Sequence, residues 1–291
     1  MGEVELNAQF WLIQSFNGIS YGALLFLLAS GLSLIFGVMR IVNLAHGAYF
    51  LLGGYVALSV IGATGSWMLS LPVAALAIAA VGLVMERIFL RPLGFDPLRQ
   101  VLLTVGFAFV FQQAALDIWG GDNLDINPPD ILKNSVVIGE LYLPAYRIFM
   151  IGMAGVVGLI LWLVMEKTRM GAMVRAAVDD SEMARGVGID TSRVSMFIFA
   201  LGAFLAALGG AIGGAFLGIY PGLDFEILPI AFAVVIIGGM GSLGGAALGS
   251  LIVGLADNFG RALFPEISYF TLYAPMVLIL AIKPTGLFGR E

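Results

Sequence analysis

Residues 239–244, Gly-Met-Gly-Ser-Leu-Gly, match the G-x-G-x-x-G spacing that lets backbone amides approach a pyrophosphate. The run AFAVVIIG precedes them and AALGSLIVGLAD follows, an order of strand, turn and helix on paper. No second strand with an acidic residue for a ribose follows, so nucleotide binding is the weaker reading. Small residues that let helix backbones approach closely in lipid explain the string better. Gly241, Gly245 and Gly249 are four apart, as are Gly210, Gly214 and Gly218, so each set is expected on one face of a helix. Residues 18–22, Gly-Ile-Ser-Tyr-Gly, match G-x-S-x-G, but Ser20 sits inside an apolar run where the sharp strand-to-helix turn of a nucleophile elbow has no place.

Arg40, Asn43 and His46 interrupt the string GVMRIVNLAHGAYFLLGGY between two apolar segments. Two readings stay open. One is a short turn capped by Asn43 and His46. The other is a broken helix, continuing at Gly47, whose exposed backbone lines a path; such backbone is tolerated at membrane depth only inside protein or beside water. The Gly238–Gly245 stretch looks like its counterpart, and paired interrupted segments in two halves point to a transporter's central pathway. Candidate pathway residues are therefore Asn43, His46, Gly47, Gly239, Gly241 and Gly244. Gln112, Gln113, Asp117, Asp257 and Asn258 are the other polar groups in apolar segments; Asp117 and Asp257 are expected near helix ends, solvated or capping. Nothing in this set resembles a proton relay or a ring of charge.

The elements that must carry these residues follow from composition. Of 291 residues, 60% are hydrophobic and 11% charged, and the mean hydropathy is +1.02. Soluble domains average about 25% charged residues, so this chain cannot cover itself in water. In lipid the backbone must pair internally, which helices or closed barrels achieve, and the alternation of a barrel is absent. The expected fold is all-α: a polytopic transmembrane bundle of about 8–10 spans, with broken or re-entrant helices and repeat-like halves, forming a single transmembrane domain over residues 1–291. There is no cysteine and one histidine, so thiolate or His-rich metal sites within the chain are excluded, and the net charge of −5 argues against nucleic acid.

Apolar segments run over about 10–38, 47–61, 67–85, 101–119, 148–165, 194–219, 227–237, 243–257 and 269–282. Segment 227–237 is too short to span and is expected to be half of a broken helix. Arg87, Arg91 and Arg99 mark loop 86–99 as cytoplasmic; Lys167, Arg169, Arg175, Arg185 and Arg193 do the same for loop 166–193, and Lys283 and Arg290 for the C-terminus. Loop 120–147, with Asp122, Asp125, Asp130 and Glu140, is expected outside, as is the acidic N-terminus with Glu3 and Glu5. The N-terminus lacks the basic region of a signal peptide, so the first segment is expected to be retained. Nine crossings fit this parity, with eight or ten also open. Within loop 166–193, residues 170–188 are predicted helical, with Met170, Met173, Val174, Ala177 and Val178 on one face.

Four strings together resemble branched-chain amino acid ABC transporter permeases. GLSLIFGVMRIVNLAHGAYFLLGGYVA (31–57) is similar to that family's N-terminal signature, and RMGAMVRAAVDDSEMARGVGIDTSRV (169–194) to its cytoplasmic coupling loop. VVIIGGMGSLGGAALGSLIVGLAD (234–257) and KPTGLFGR (283–290) are similar to its C-terminal signatures. The resemblance covers the chain from about residue 10 onward and is to the smaller of the two permease types. It implies a bacterial inner-membrane importer of several chains: a second permease, two cytoplasmic ATPase subunits and a periplasmic substrate-binding protein. ATP would be bound by the partners, with no cofactor and no enzymatic site on this chain. The cargo implied is leucine, isoleucine and valine; urea, short amides or other amino acids are the alternative, and an ion-coupled secondary transporter the remote one.

The E-A-A-x-x-x-G pattern of ABC coupling loops is matched by Glu182, Ala184 and Gly188, with Met183 in place of the first alanine. The downstream I-x-L-P is absent, since residues 198–201 read Ile-Phe-Ala-Leu. A coupling element must be compact: Ala184 and Gly188 are expected to permit close approach one turn apart, and Arg175, Glu182 and Arg185 to orient it by charge at the rim. The plain alternative is a helix that only links two spans.

Overall fold

The computed structural model describes residues 8–94, 96–139 and 141–289. Glu3, Glu5, Glu140 and Arg290, which entered the charge argument, lie outside these. The long helices are α1 (Ala8–Met39), α2 (His46–Thr64), α3 (Trp67–Met85), α4 (Pro97–Trp119), then after a short α5 (Asp130–Lys133), α6 (Ala145–Lys167). Two short helices, α7 (Arg169–Asp179) and α8 (Ser181–Gly186), lead to α9 (Thr191–Leu217), α10 (Leu223–Gly238), α11 (Leu243–Leu263) and α12 (Ser268–Ile282). The only strands among the described residues are a hairpin, β1 (Ser135–Ile138) antiparallel to β2 (Leu141–Pro144), with Ser135 opposite Pro144. Among the described residues seven helices are long and apolar enough to cross a membrane; α10, at 16 residues, and α12, at 15, are shorter. The chain is an all-α polytopic bundle.

A helix that is apolar all round belongs in an interior, and α1 is: it is buried from Gly18 to Ile35 with one exception, exposed Ile19, in the surrounding stretch. It packs on α9, α11 and α6. At the periphery, α4 and α6 turn Leu102, Phe109, Val110, Leu159, Ile160 and Trp162 outward. Such a surface is stable against lipid chains.

Without a hydrophobic drive between helices in lipid, close backbone packing holds the bundle. A Cβ on Gly31 of α1 would come 2.7 Å from the Gly202 carbonyl of α9, and one on Gly22 would come 2.7 Å from the Ser250 carbonyl of α11. A Cβ on Gly210 would land on the Phe50 carbonyl of α2. Gly210→Val is therefore expected to destabilise by about 3 kcal/mol or more, lowering the melting temperature in detergent by roughly 6–12 °C; an unchanged melt would show that α2 and α9 are not locked there. The two glycine sets are only partly helical. Gly245 and Gly249 face the Gly238 and Val234 carbonyls of α10, but Gly241 precedes α11 and Gly218 follows α9, so the third member of each set is not on the helix face.

Candidate functional site

The first break runs from Arg40 to Ala45. Arg40 is the only non-glycine described residue with positive φ, at 54°, and its amide still bonds the Phe36 carbonyl, 2.8 Å away, so α1 ends there. Asn43 Oδ1 accepts from the Ala45 amide at 3.1 Å, and Thr104 Oγ1 of α4 accepts from the Leu44 amide at 3.2 Å. His46 Nε2 is 2.9 Å from the Leu28 carbonyl. Leu28 lies eleven residues before the end of α1, about 16 Å along its axis. The start of α2 therefore stands beside the middle of α1, and the break turns back into the bundle.

Asn43 and His46 are both fully buried, and Gly47 packs on the Asp224 carbonyl at the start of α10. The segment is a turn of irregular, buried backbone in which side chains satisfy the Leu44 and Ala45 amides. Asn43→Ala leaves the buried Ala45 amide without its acceptor, so a cost of about 1–3 kcal/mol is expected. Thermal unfolding in detergent checks it, and a melt equal to that of the parent would refute the turn's role.

The second break, Gly239 to Ser242, begins where α10 ends. Ser242 Oγ accepts from the Gly245 amide at 3.0 Å and caps α11. Gly241 has φ +83°, and a Cβ on it would come 3.0 Å from Gly37 Cα near the end of α1. Ser33 Oγ reaches the Ser242 carbonyl at 3.4 Å. The second break therefore packs on the last turn of α1, the turn that leads into the first break. Gly239 lies against Gly289 of the C-terminal segment, while Gly244 is exposed with nothing within 4 Å of a Cβ.

The C-terminal string has a structural job that its sequence did not disclose. The Leu287 and Phe288 amides donate to the Ile237 and Gly238 carbonyls, each at 2.9 Å, pairing carbonyls at the end of α10 that the helix leaves open. Beside the first break, a groove of about 450 Å³ runs between α4, α10 and α12, with Leu44, Val105, Phe225, Leu228, Phe232 and Tyr273 in its walls.

Asp257 departs from expectation. It lies six residues before the end of α11 and is 4% exposed, and it pairs at 2.9 Å with the largely exposed guanidinium of Arg261, so it is a buried carboxylate held by a surface cation and not a solvated cap. Asp117 does sit near the end of α4, accepting from Gln113 Nε2 at 2.9 Å.

The loop after α6 is two helices, not one. The Asp180 carboxylate accepts from the Glu182 and Met183 amides, each at 2.9 Å, which ends α7 and starts α8. Gly171, Val174 and Ala177 are buried, with Met170, Met173 and Val178 packed beside them, as the sequence periodicity predicts. Arg175 donates to the Met165 carbonyl and lies 3.7 Å from Glu166, so it ties α7 to the end of α6 and is not a rim charge of the α8 surface.

Ala184 points inward and is buried, while Glu182 is exposed and Arg185 Nε bonds the Ser181 carbonyl at 3.2 Å. Gly188 falls beyond α8 with φ +91°, its amide 3.0 Å from the Arg185 carbonyl, and nothing lies within 4 Å of where a Cβ would stand. It turns the chain toward α9; it does not share a close-approach face with Ala184. The outward face carries Met183 and Val187, 65% and 72% exposed and four positions apart. The motif gives neither a role, Met183 only standing in place of its first alanine; apolar residues on the polar side of an amphipathic loop are the available signal.

The two arginine-bearing loops lie at one end of the bundle, where Arg91, Ala177 and Thr191 share one cavity. At the far end of α9, Leu124 of the acidic loop pairs with Ile219.

Residues 14–280 match the family described as the branched-chain amino acid transport system permease component. The chain belongs to this permease family. The permease is 31% identical to LivH of Escherichia coli (strain K12), a high-affinity branched-chain amino acid transport system permease protein, over 97% of this chain and 96% of that one. It is 29% identical to BraD of Pseudomonas aeruginosa, with 96% of each chain covered. Escherichia coli LivM, a permease protein of the same description, is 27% identical over 90% of this permease and 67% of its own length. No solved structure matches the permease significantly. The permease is thus a multi-pass transport protein.

Proposed function

We propose that the permease is a transmembrane subunit of an ATP-driven importer for leucine, isoleucine and valine. It works with a second permease of the LivM kind, two ATPase subunits and a substrate-binding protein on the outer side. The observation that carries this reading is the near-full-length similarity to LivH together with the more distant similarity to LivM, two permease proteins of branched-chain amino acid transport systems. Loops 86–99 and 166–193 face the cytoplasm with the C-terminus, and the acidic loop 120–147 and the N-terminus face outward, since Lys and Arg favour the inner side. A bacterial inner membrane is the setting.

In this reading the ATPases dock on α7–α8. Met183 and Val187 supply the apolar contact, Glu182 and Arg185 flank it, and Ala184 and Gly188 fix the shape of the element. Arg175 passes its displacement to α6. The substrate path follows the two breaks, around Asn43, His46, Gly47, Gly239, Gly241 and Gly244, where α1, α2, α10 and α11 change direction together. Apolar walls suit a cargo released by a selective binding protein, because weak, undirected contact lets it leave. ATP is bound and hydrolysed by the partners, and this chain performs no chemistry. Reconstitution of the complete system in liposomes tests the reading: leucine uptake is expected only with ATP and both ATPases present. Equal uptake without them would overturn it.

A further inference from the structure

A second cavity, of about 140 Å³, lies where the end of α1, the turn after α3 and the helices α7 to α9 converge. Glu86 is 2% exposed and lines it, and among the described residues its Oε2 has no hydrogen-bond partner. A buried carboxylate oxygen without a donor is costly to keep. Glu86 opens a π-turn, Glu86–Leu90, that interrupts the ladder at the end of α3, a feature that recurs at functional sites. Arg91 lines the same cavity and is exposed. Ser181 of α8 and Ser192 of α9 contribute hydroxyls, and Val38 and Met39 of α1 an apolar wall.

A buried acid with one oxygen lacking a hydrogen-bond donor, a guanidinium and an apolar wall in one small cavity complement an α-amino acid zwitterion with a short branched side chain. The geometry points to a second amino-acid site, separate from the breaks, in which Glu86 takes the ammonium group, Arg91 the carboxylate, and Val38 and Met39 the side chain. Charge-assisted pairs of this kind are the stronger hydrogen bonds. The ligand class rests on the proposed cargo; the site itself does not include any pathway residue. Because its walls belong to α8 and to the end of α1, an occupant ties the loop to the helix that leads into the first break. Amino acid accumulated on that side is therefore expected to slow further import.

Labelled leucine binding to the assembled complex in nanodiscs tests the site. Saturable binding is expected, weakened roughly tenfold or more by Glu86→Gln and by Arg91→Gln. Arg91 is on the surface, so its variant probes the site without disturbing the interior. Leucinamide, which lacks the carboxylate, and isocaproate, which lacks the ammonium group, are expected to compete poorly. Binding unchanged in both variants, equal competition by either analogue, or no saturable binding alongside intact ATP-driven leucine uptake would each overturn the site. Loss of the transport reading looks different: no ATP-driven leucine uptake by the parent complex, with Glu86-dependent leucine binding preserved.

Discussion

Replacing Met183 and Val187 together by aspartate is expected to reduce ATP-driven uptake to background while the permease remains folded and inserted. Both side chains are 65% and 72% exposed, so the chain itself loses little packing. A docked partner loses two apolar contacts, each of about 1.5–3 kcal/mol when fully buried, and must instead desolvate two carboxylates. A loss of about 3 kcal/mol or more is over a hundredfold in affinity, roughly. The expected phenotype is absence of ATPase subunits from the purified complex, with an unaltered thermal melt of the permease. Uptake within twofold of the parent would show that the outward face of α8 is not where force enters.

Gly241→Leu carries the second large effect. The position combines φ +83° with Gly37 Cα 3.0 Å from a Cβ, so a side chain meets both backbone strain, of about 1–3 kcal/mol, and a neighbour that is itself main chain. The second break would be pushed away from the end of α1, and uptake is expected to fall at least about tenfold, in line with a cost of that size. Gly244→Leu separates the causes. Nothing lies within 4 Å of its Cβ, so its melt is expected to match the parent's, and reduced uptake in that variant alone would come from a side chain standing in the path. Normal uptake in Gly241→Leu would mean that the Gly37–Gly241 contact is incidental to transport.

How much of this was legible in the sequence follows from length scales. Helices of 19 to 32 residues announce themselves through apolar runs, and α3, predicted over 67–85, is found at Trp67–Met85. Segment 227–237 was short for a span, and α10 does stop at Gly238. Long-range pairings were not legible. That His46 reaches back to Leu28, that Gly37 meets Gly241, and that the Leu287 and Phe288 amides close the end of α10 depend on segments far apart in the chain. Local polarity also misled. Asp180 looked like part of a continuous helix but its carboxylate caps the next one, and Asp257 looked solvated because its burial comes from packing by other helices. Glu86 carries no motif at all; only the cavity around it distinguishes it from an ordinary loop acid.

The most direct measurement is affinity purification of the permease in mild detergent with its proposed partners co-expressed, run beside the Met183→Asp, Val187→Asp double variant. Recovery of two ATPase subunits and a second permease with the parent, and loss of the ATPases alone with the variant, is the predicted result. A parent permease that purifies without ATPase subunits yet still carries leucine into liposomes lacking ATP would contradict the ATP-driven account.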